Sequence, residues 1–404
     1  MVAQRWSRLF GPPAIVTAIV SLIALAGTTL LFRQLPKADV GTLALLFALV
    51  ETLTVICMLG QPTTITRRYS QVNSEGFAWR KDLFVGVLLA TPILAVGLLV
   101  ATFLYTLGGP SLRYVGFSVV ILVPTFLLTW MINSRGYYVW SSLFLRLPNA
   151  LIVVPALIAI LNLQVINLSG VLIFHVLIML PVVVASYVLA SRKLELGSQR
   201  ISPQERKQGL YFLANEISLV VSTYGLLVIA GAILSPALVA TYAAVAIFLR
   251  AFRLLSGIQV MVLIPELIRT KAPRYGRLFV ASTTIALGAG LLIAILGPAI
   301  ARWAYSGKFE EGTFLIPWLA MSGALLLMEV LPRSYIFGRL GWPKLRRFIV
   351  IQILIMMTVW LISLLLIWRA GVLGIALSTT LALLIRNILA YGYFLDSIRS
   401  PEKA

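Results

Sequence analysis

Cysteine and histidine are almost missing from this chain of 404 residues, which holds one of each, Cys57 and His175. A lone cysteine excludes an intramolecular disulfide, and the pair leaves no His/Cys cluster at metal-ligand spacing, so redox and zinc chemistry are not expected. Acidic residues are scarce as well: 13 against 33 lysines and arginines, with all charged residues together making up 11% of the chain. An ordinary soluble domain carries about 25% charged residues, so this composition excludes one. Long polar stretches are also absent, and no loop can hold a folded extramembrane domain. That removes the soluble basic face which a nucleic-acid reading of the +20 net charge would need.

What is present is apolar sequence. Hydrophobic residues make up 60% of the chain and the mean hydropathy is +0.99, values of an integral membrane protein. Runs long enough to span a bilayer are expected at 12–32, 39–60, 83–105, 114–133, 137–162 and 166–190. They recur at 209–231, 236–264, 279–300, 313–338, 347–368 and 371–395, which predicts an all-α protein of about twelve transmembrane helices. The first run follows a basic N-terminus and is longer than the apolar core of a signal peptide. It is read as an uncleaved helix despite the small-residue motif Ala24-Leu25-Ala26.

With the N-terminus placed in the cytoplasm, 22 of the 33 cations fall on inside loops, six outside and five within spans. This is the positive-inside bias expected of a protein with both ends cytoplasmic. The cations there also meet the anionic headgroups of membrane lipids. The charged segment SRKLELGSQRISPQERK (191–207) falls at the midpoint and reads as a linker. It divides the chain into a six-helix lobe at 1–190, a cytoplasmic linker at 191–208 and a second six-helix lobe at 209–404. A shift of 199 residues lays ADVGTLALLFALVE (38–51) over ALVATYAAVAIFLR (237–250), the second helix of each half. Because both halves start on the same side, the repeat is parallel.

Ionisable residues within spans are costly and usually face an internal cavity or a partner. Arg250 and Arg253 lie three apart, on one helix face. The repeat makes Glu51 the counterpart of Arg250. Glu216 lies beside a polar stripe of Asn215, Ser218 and Ser222, and the first helix carries Thr17, Ser21 and Thr28 along one face, so these helices are expected to line a shared polar cavity. For Glu51 and Glu216 the alternative is simple neutralisation of a nearby arginine. Glu329 and Arg333 have the four-residue spacing of an intrahelical ion pair. Arg146 (with Asn149) and Arg386 (with Asn387) lack a local acid and either snorkel to the headgroups or line the cavity. His175 is expected to be hydrogen-bonded within the bundle, and Pro92, Pro124, Pro148 and Pro155 to kink their helices. Five arginines against three glutamates leave a surplus of positive charge suited to bidentate phosphate, which points to an anionic cargo loaded from the cytoplasm.

Three stretches resemble the lipid-linked oligosaccharide flippases of the polysaccharide biosynthesis or O-antigen transporter family. They are RQLPKADVGTLALLFALVETLTVICMLGQPTTITRRY (33–69), with Gly41, Gly60 and Arg67-Arg68; GAILSPALVATYAAVAIFLR (231–250); and YSGKFEEGTFLIPWLAMSGALLLMEVLPRSYIFGRLGWPKLRRF (305–348), with its Gly338 to Pro343 turn. The resemblance implies the MOP exporter superfamily: two pseudosymmetric six-helix lobes, a central cavity and alternating access. It further implies a bacterial inner-membrane flippase for an undecaprenyl-pyrophosphate-linked oligosaccharide. The partners expected are that anionic glycan lipid and polysaccharide assembly enzymes. Arg253 and Arg250, with Arg146 and Arg386, are expected to bind substrate, and Glu51, Glu216 and Asn215 to line the cavity or couple an ion. No cofactor is expected, only a proton or ion gradient. The other readings are a multidrug and toxin extrusion exporter, whose organic-cation site should show an acidic surplus, and a membrane enzyme or scaffold of polysaccharide assembly.

Overall fold

The computed structural model describes residues 2–71, 76–105, 107–161, 167–269 and 275–399. About 90% of the protein is helical, with no strand among the described residues. The helices are α1 (Val2–Gln34), α2 (Lys37–Cys57), α3 (Gln61–Gln71), α4 (Trp79–Tyr105), α5 (Gly109–Ser134), α6 (Tyr138–Ala150), α7 (Val153–Leu161) and α8 (Leu168–Lys193). There follow α9 (Pro203–Val220), a π-helical turn (Val221–Gly225), α10 (Leu226–Ile233), α11 (Pro236–Val245), α12 (Ile247–Arg269) and α13 (Tyr275–Tyr305). A 3-10 turn (Glu310–Leu315), α14 (Ile316–Arg339) and α15 (Trp342–Arg399) complete the chain.

Ten of these helices, joined where they run on, are long and apolar enough to cross a membrane, and α11 with α12 forms an eleventh, broken crossing. Helix α15 has 58 residues, about 87 Å if straight, roughly three times the hydrocarbon thickness. It turns back at Gly371, whose φ of 56° and ψ of −126° only glycine tolerates readily. That break makes it two crossings and brings the total to the twelve expected.

Three further breaks have local causes. Pro155 has no N–H for the carbonyl of Leu151, so the helix parts into α6 and α7 and Val154 N donates to Leu151 O instead, at 3.0 Å. Between α11 and α12 the axis bends by 52° without proline or glycine at the break. There the hydroxyl of Tyr305 donates to the Ala244 carbonyl at 3.0 Å and holds the bend open. The polar segment after α8 does not stay irregular as far as 208. Ser202 accepts from Glu205 N while Glu205 accepts from Ser202 N, a capping box that starts α9 at Pro203, inside the expected linker. The rest of that segment docks just before α4, where Ala78 N donates to Gln199 O at 2.8 Å, and Arg206 of α9 donates to Asp82 of α4 at 2.6 Å.

Burial repeats along the chain with a period of six crossings. The fourth and tenth, α5 and α14, are 72% buried, whereas the third and ninth, α4 and α13, are only 11% and 22% buried and turn leucine, valine and phenylalanine to lipid. Helices α2, α3, α4, α6 and α8 pack around α5, and α12, α13 and α15 around α14. The two groups meet along α2 with α11, α1 with α12, and α3 with α9 and α12. At one end of this seam Lys37 bridges to Glu311 at 2.7 Å, and Lys308 donates to Phe32 O and Arg33 O in the last turn of α1 and to Leu35 O just after it. A cation there also complements the negative end of the α1 dipole.

Candidate functional site

Between the two groups lies a string of adjoining cavities that share their lining residues. The largest of them has about 1190 Å³ of empty space, counting its open mouth, and runs from Glu51, Arg146 and Arg253 to Thr66 on α3 and Arg333 and Phe337 on α14. A neighbour of about 550 Å³ is walled by Ser21 and Thr28 of α1, Glu51, Arg146, Tyr224, Arg250 and Arg253. A third, of about 610 Å³, extends past Arg250 and Arg253 to Phe32, Phe47 and Tyr242. The first helices of both groups and the second helices of both therefore do line one space. Helices α3, α5, α6 and α14 contribute to it as well.

Each charge in this space is delivered by a different piece of local structure. Arg250 and Arg253 lie in the first two turns of α12, just past the 52° bend, which turns them into the seam. The Arg253 guanidinium lies 3.7 Å from the centre of the Tyr224 ring, and its Nη1, although buried, has no hydrogen-bond partner among the described residues. Arg250 sits over the Phe47 ring at 5.6 Å. Arg146 reaches from α6 across the seam and donates to the Leu254 carbonyl of α12 at 3.2 Å. Its Nη2 lies close over Gly257, where a Cβ would push the guanidinium aside. Glu51 accepts from Asn149 Nδ2 at 3.4 Å and is in no ion pair among the described residues. Glu216 is paired, with Arg333 Nη2 at 2.7 Å.

Arg146, Arg250, Arg253, Glu51 and Glu216 thus stand together, and of the two courses open to Arg146 it takes the cavity, not the headgroups. Three expectations are corrected. Arg386 does not line the cavity: it is 1% exposed, bound through Nε and Nη2 to both oxygens of Glu329 at 3.2 and 2.6 Å and through Nη1 to Ser218 Oγ. Glu329 and Arg333 are not partners. The carboxylate faces α15, so it takes Arg386, whereas Arg333 faces α9 and takes Glu216. Asn215 does not line these cavities either. It is 1% exposed, on the α9 face of Ser218, which binds Arg386 and Gln352 of α15, and its amide has no partner among the described residues.

His175 is held in the bundle as expected. The carbonyl of Pro148 can only accept, so Nε2 carries the proton and donates at 3.0 Å, and Nδ1 accepts from the Tyr114 hydroxyl at 3.0 Å. Tyr224 was not legible beforehand. It is one of 14 tyrosines and carries no charge to stand out in an apolar span, and the π-helical turn that carries it shifts the helical phase, so spacing alone does not fix its face.

No family profile and no curated protein matches the chain, but solved structures do. A multidrug resistance MATE family transporter of the MOP superfamily, in an outward-facing conformation, is 15% identical over 98% of this chain and 96% of its own, with a TM-score of 0.64. The lipid II flippase MurJ, in an inward closed conformation, is 13% identical over 96% of this chain and 87% of its own, also at 0.64. A MOP superfamily transporter from Pyrococcus furiosus, described by a binding pocket of reverse polarity that suggests a different function, is 15% identical over 98% of this chain and 96% of its own, at 0.61. The structural neighbours are transporters and flippases, and this multi-pass membrane protein has the fold of the MOP superfamily.

Proposed function

We propose that the protein is a flippase which carries an undecaprenyl-pyrophosphate-linked oligosaccharide from the cytoplasmic to the outer leaflet of a bacterial inner membrane, for surface polysaccharide export. The observation that carries this reading is the charge balance of the central space. Four arginines, Arg146, Arg250, Arg253 and Arg333, line it against two glutamates, and only Arg333 and Glu216 form a pair. A guanidinium donor buried without a partner is costly unless an acceptor comes to it, and phosphate oxygens match its fork.

In this mechanism the pyrophosphate enters between Arg253, Arg250 and Arg146, while the polyprenyl chain stays in lipid. The six-helix groups at 1–190 and 209–404 then rock about the seam, with both termini cytoplasmic. Glu51, near the three arginines and unpaired, acts as their internal counter-anion in the empty carrier and is the group at which a proton or ion gradient would couple. An organic-cation exporter is supported by the MATE neighbours, but the arginine excess of this space disfavours it.

The test replaces Arg253 by Ala and by Lys in cells that depend on this protein, with surface polysaccharide and cytoplasmic-leaflet lipid-linked glycan measured together. Loss of surface polysaccharide with glycan accumulating inside is expected, the lysine variant being the milder because it keeps charge but not the fork. Normal export by correctly inserted Arg253→Ala protein would sink the role of Arg253. Loss of glycan synthesis itself would favour an assembly enzyme.

A further inference from the structure

Two guanidinium groups three residues apart on one helix repel each other and, with long flexible stems, tend to splay toward separate partners. Tyr224 lines both spaces that Arg250 and Arg253 line together. Its ring face receives the Arg253 guanidinium at 3.7 Å, in the same spaces that Arg250 lines. The phenol thus offers its negative face to Arg253 and holds that cation on one rigid side chain, in the spaces that Arg250 shares.

The residue is also placed in an unusual way. It sits in the π-helical turn Val221–Gly225 between α9 and α10, a backbone form that is rare and recurs at functional sites. The donor left over by this arrangement is Arg253 Nη1, buried and unpartnered. Arg250 and Arg253 are both half-buried and line the same cavity as Arg146, and Arg253 presents its free Nη1 donor there.

We infer that Tyr224 is a positioning residue which fixes Arg250 and Arg253 apart, so that the site selects a diphosphate over a single phosphate. This rests on the anionic cargo proposed above. A lone phosphate satisfies one fork and leaves the second arginine unpaired, whereas a diphosphate presents one phosphoryl group to each. Without the ring, Arg253 collapses toward the nearest acceptor and the two-point match is lost. Affinity for a single phosphate, which needs one arginine only, changes little.

The experiment uses the full chain in lipid nanodiscs and titrates inorganic pyrophosphate and inorganic phosphate by calorimetry. The wild type is expected to prefer pyrophosphate. Tyr224→Leu should weaken pyrophosphate by about tenfold and phosphate by less than about threefold, the scale of one desolvated cation–π contact. Tyr224→Trp keeps an aromatic face and should restore the preference. Tyr224→Leu protein with the wild-type preference, or an equal loss for both anions that Tyr224→Trp does not reverse, would overturn the inference while leaving the anionic reading in place. A Tyr224→Leu protein that fails to fold leaves the decision to Tyr224→Trp and Tyr224→Phe, and loss of the preference in both of these well-folded variants overturns it too. A wild type that binds neither anion would remove the anionic cargo and this inference with it.

Discussion

Two buried ionic clusters sit in the same membrane protein and treat their arginines in opposite ways. Between α9, α14 and α15, Arg386 has both oxygens of Glu329 and the hydroxyl of Ser218, and is sealed at 1% exposure. Among the described residues, Arg253 in the central space has an aromatic face and an empty donor, Arg146 has only a backbone carbonyl, and Glu51 has an amide but no cation. A charge that is completely satisfied holds helices together. One that is left with open valence in a cavity is available to a ligand, and on the proposed function that difference separates Arg386 from Arg146, Arg250 and Arg253, which look alike in the sequence.

The contrast can be broken most forcefully at Glu329. Glu329→Gln leaves Arg386 buried without its counter-charge, a change expected to cost about 3–5 kcal/mol and seen as a large drop in the thermal midpoint in detergent. Replacing both partners by methionine should recover most of that loss. If Glu329→Gln melts like wild type, the cluster is not the structural one. Arg253→Ala, by comparison, should abolish export while moving the midpoint little.

A smaller effect is expected at Gly257. Gly257→Ala places a methyl where Arg146 Nη2 lies, so it should shift the guanidinium off Leu254 and lower glycan export by about tenfold with near-normal folding. Export unchanged in that variant would separate Arg146 from the site. Tyr305→Phe, which removes the bond to the Ala244 carbonyl, should cost about 1 kcal/mol, measured as a modest fall in thermal stability. The smallest change belongs to the exposed pair at the seam's end. Lys37→Met should shift stability by less than about 1 kcal/mol, and 0.5 M salt should erase the difference from wild type.

Much of the architecture was legible in the apolar runs. The spans at 39–60 and 114–133 closely match α2 and α5, because hydrocarbon demands about twenty apolar residues per crossing whatever their neighbours are. The charges of the site were legible for a related reason. An arginine such as Arg250 in the middle of ALVATYAAVAIFLRAFRLL is conspicuous where few charges are tolerated. Pairing was not. The four-residue spacing of Glu329 and Arg333 describes a helix in isolation, yet each side chain found a better partner on a different neighbour. The polar stripe of Asn215, Ser218 and Ser222 suggests a cavity face, but adjacent helical positions point about 100° apart: the stripe turns to α15, where Ser218 meets Gln352 and Arg386, and Glu216 faces the cavity.

The stretch Ala237 to Leu255 shows how the division fell. Its composition alone determined that a crossing would carry two cations, since length and hydropathy decide what enters a bilayer and polar residues within it stand out one by one. That it breaks by 52° at Ala246, that Tyr305 from α13 holds the break, and that Tyr224 from a π-helical turn receives Arg253 were decided by tertiary structure. The physical reason is that membrane burial acts on a segment through its length and polarity, while the partner of a buried charge depends on how each helix is rotated against the others.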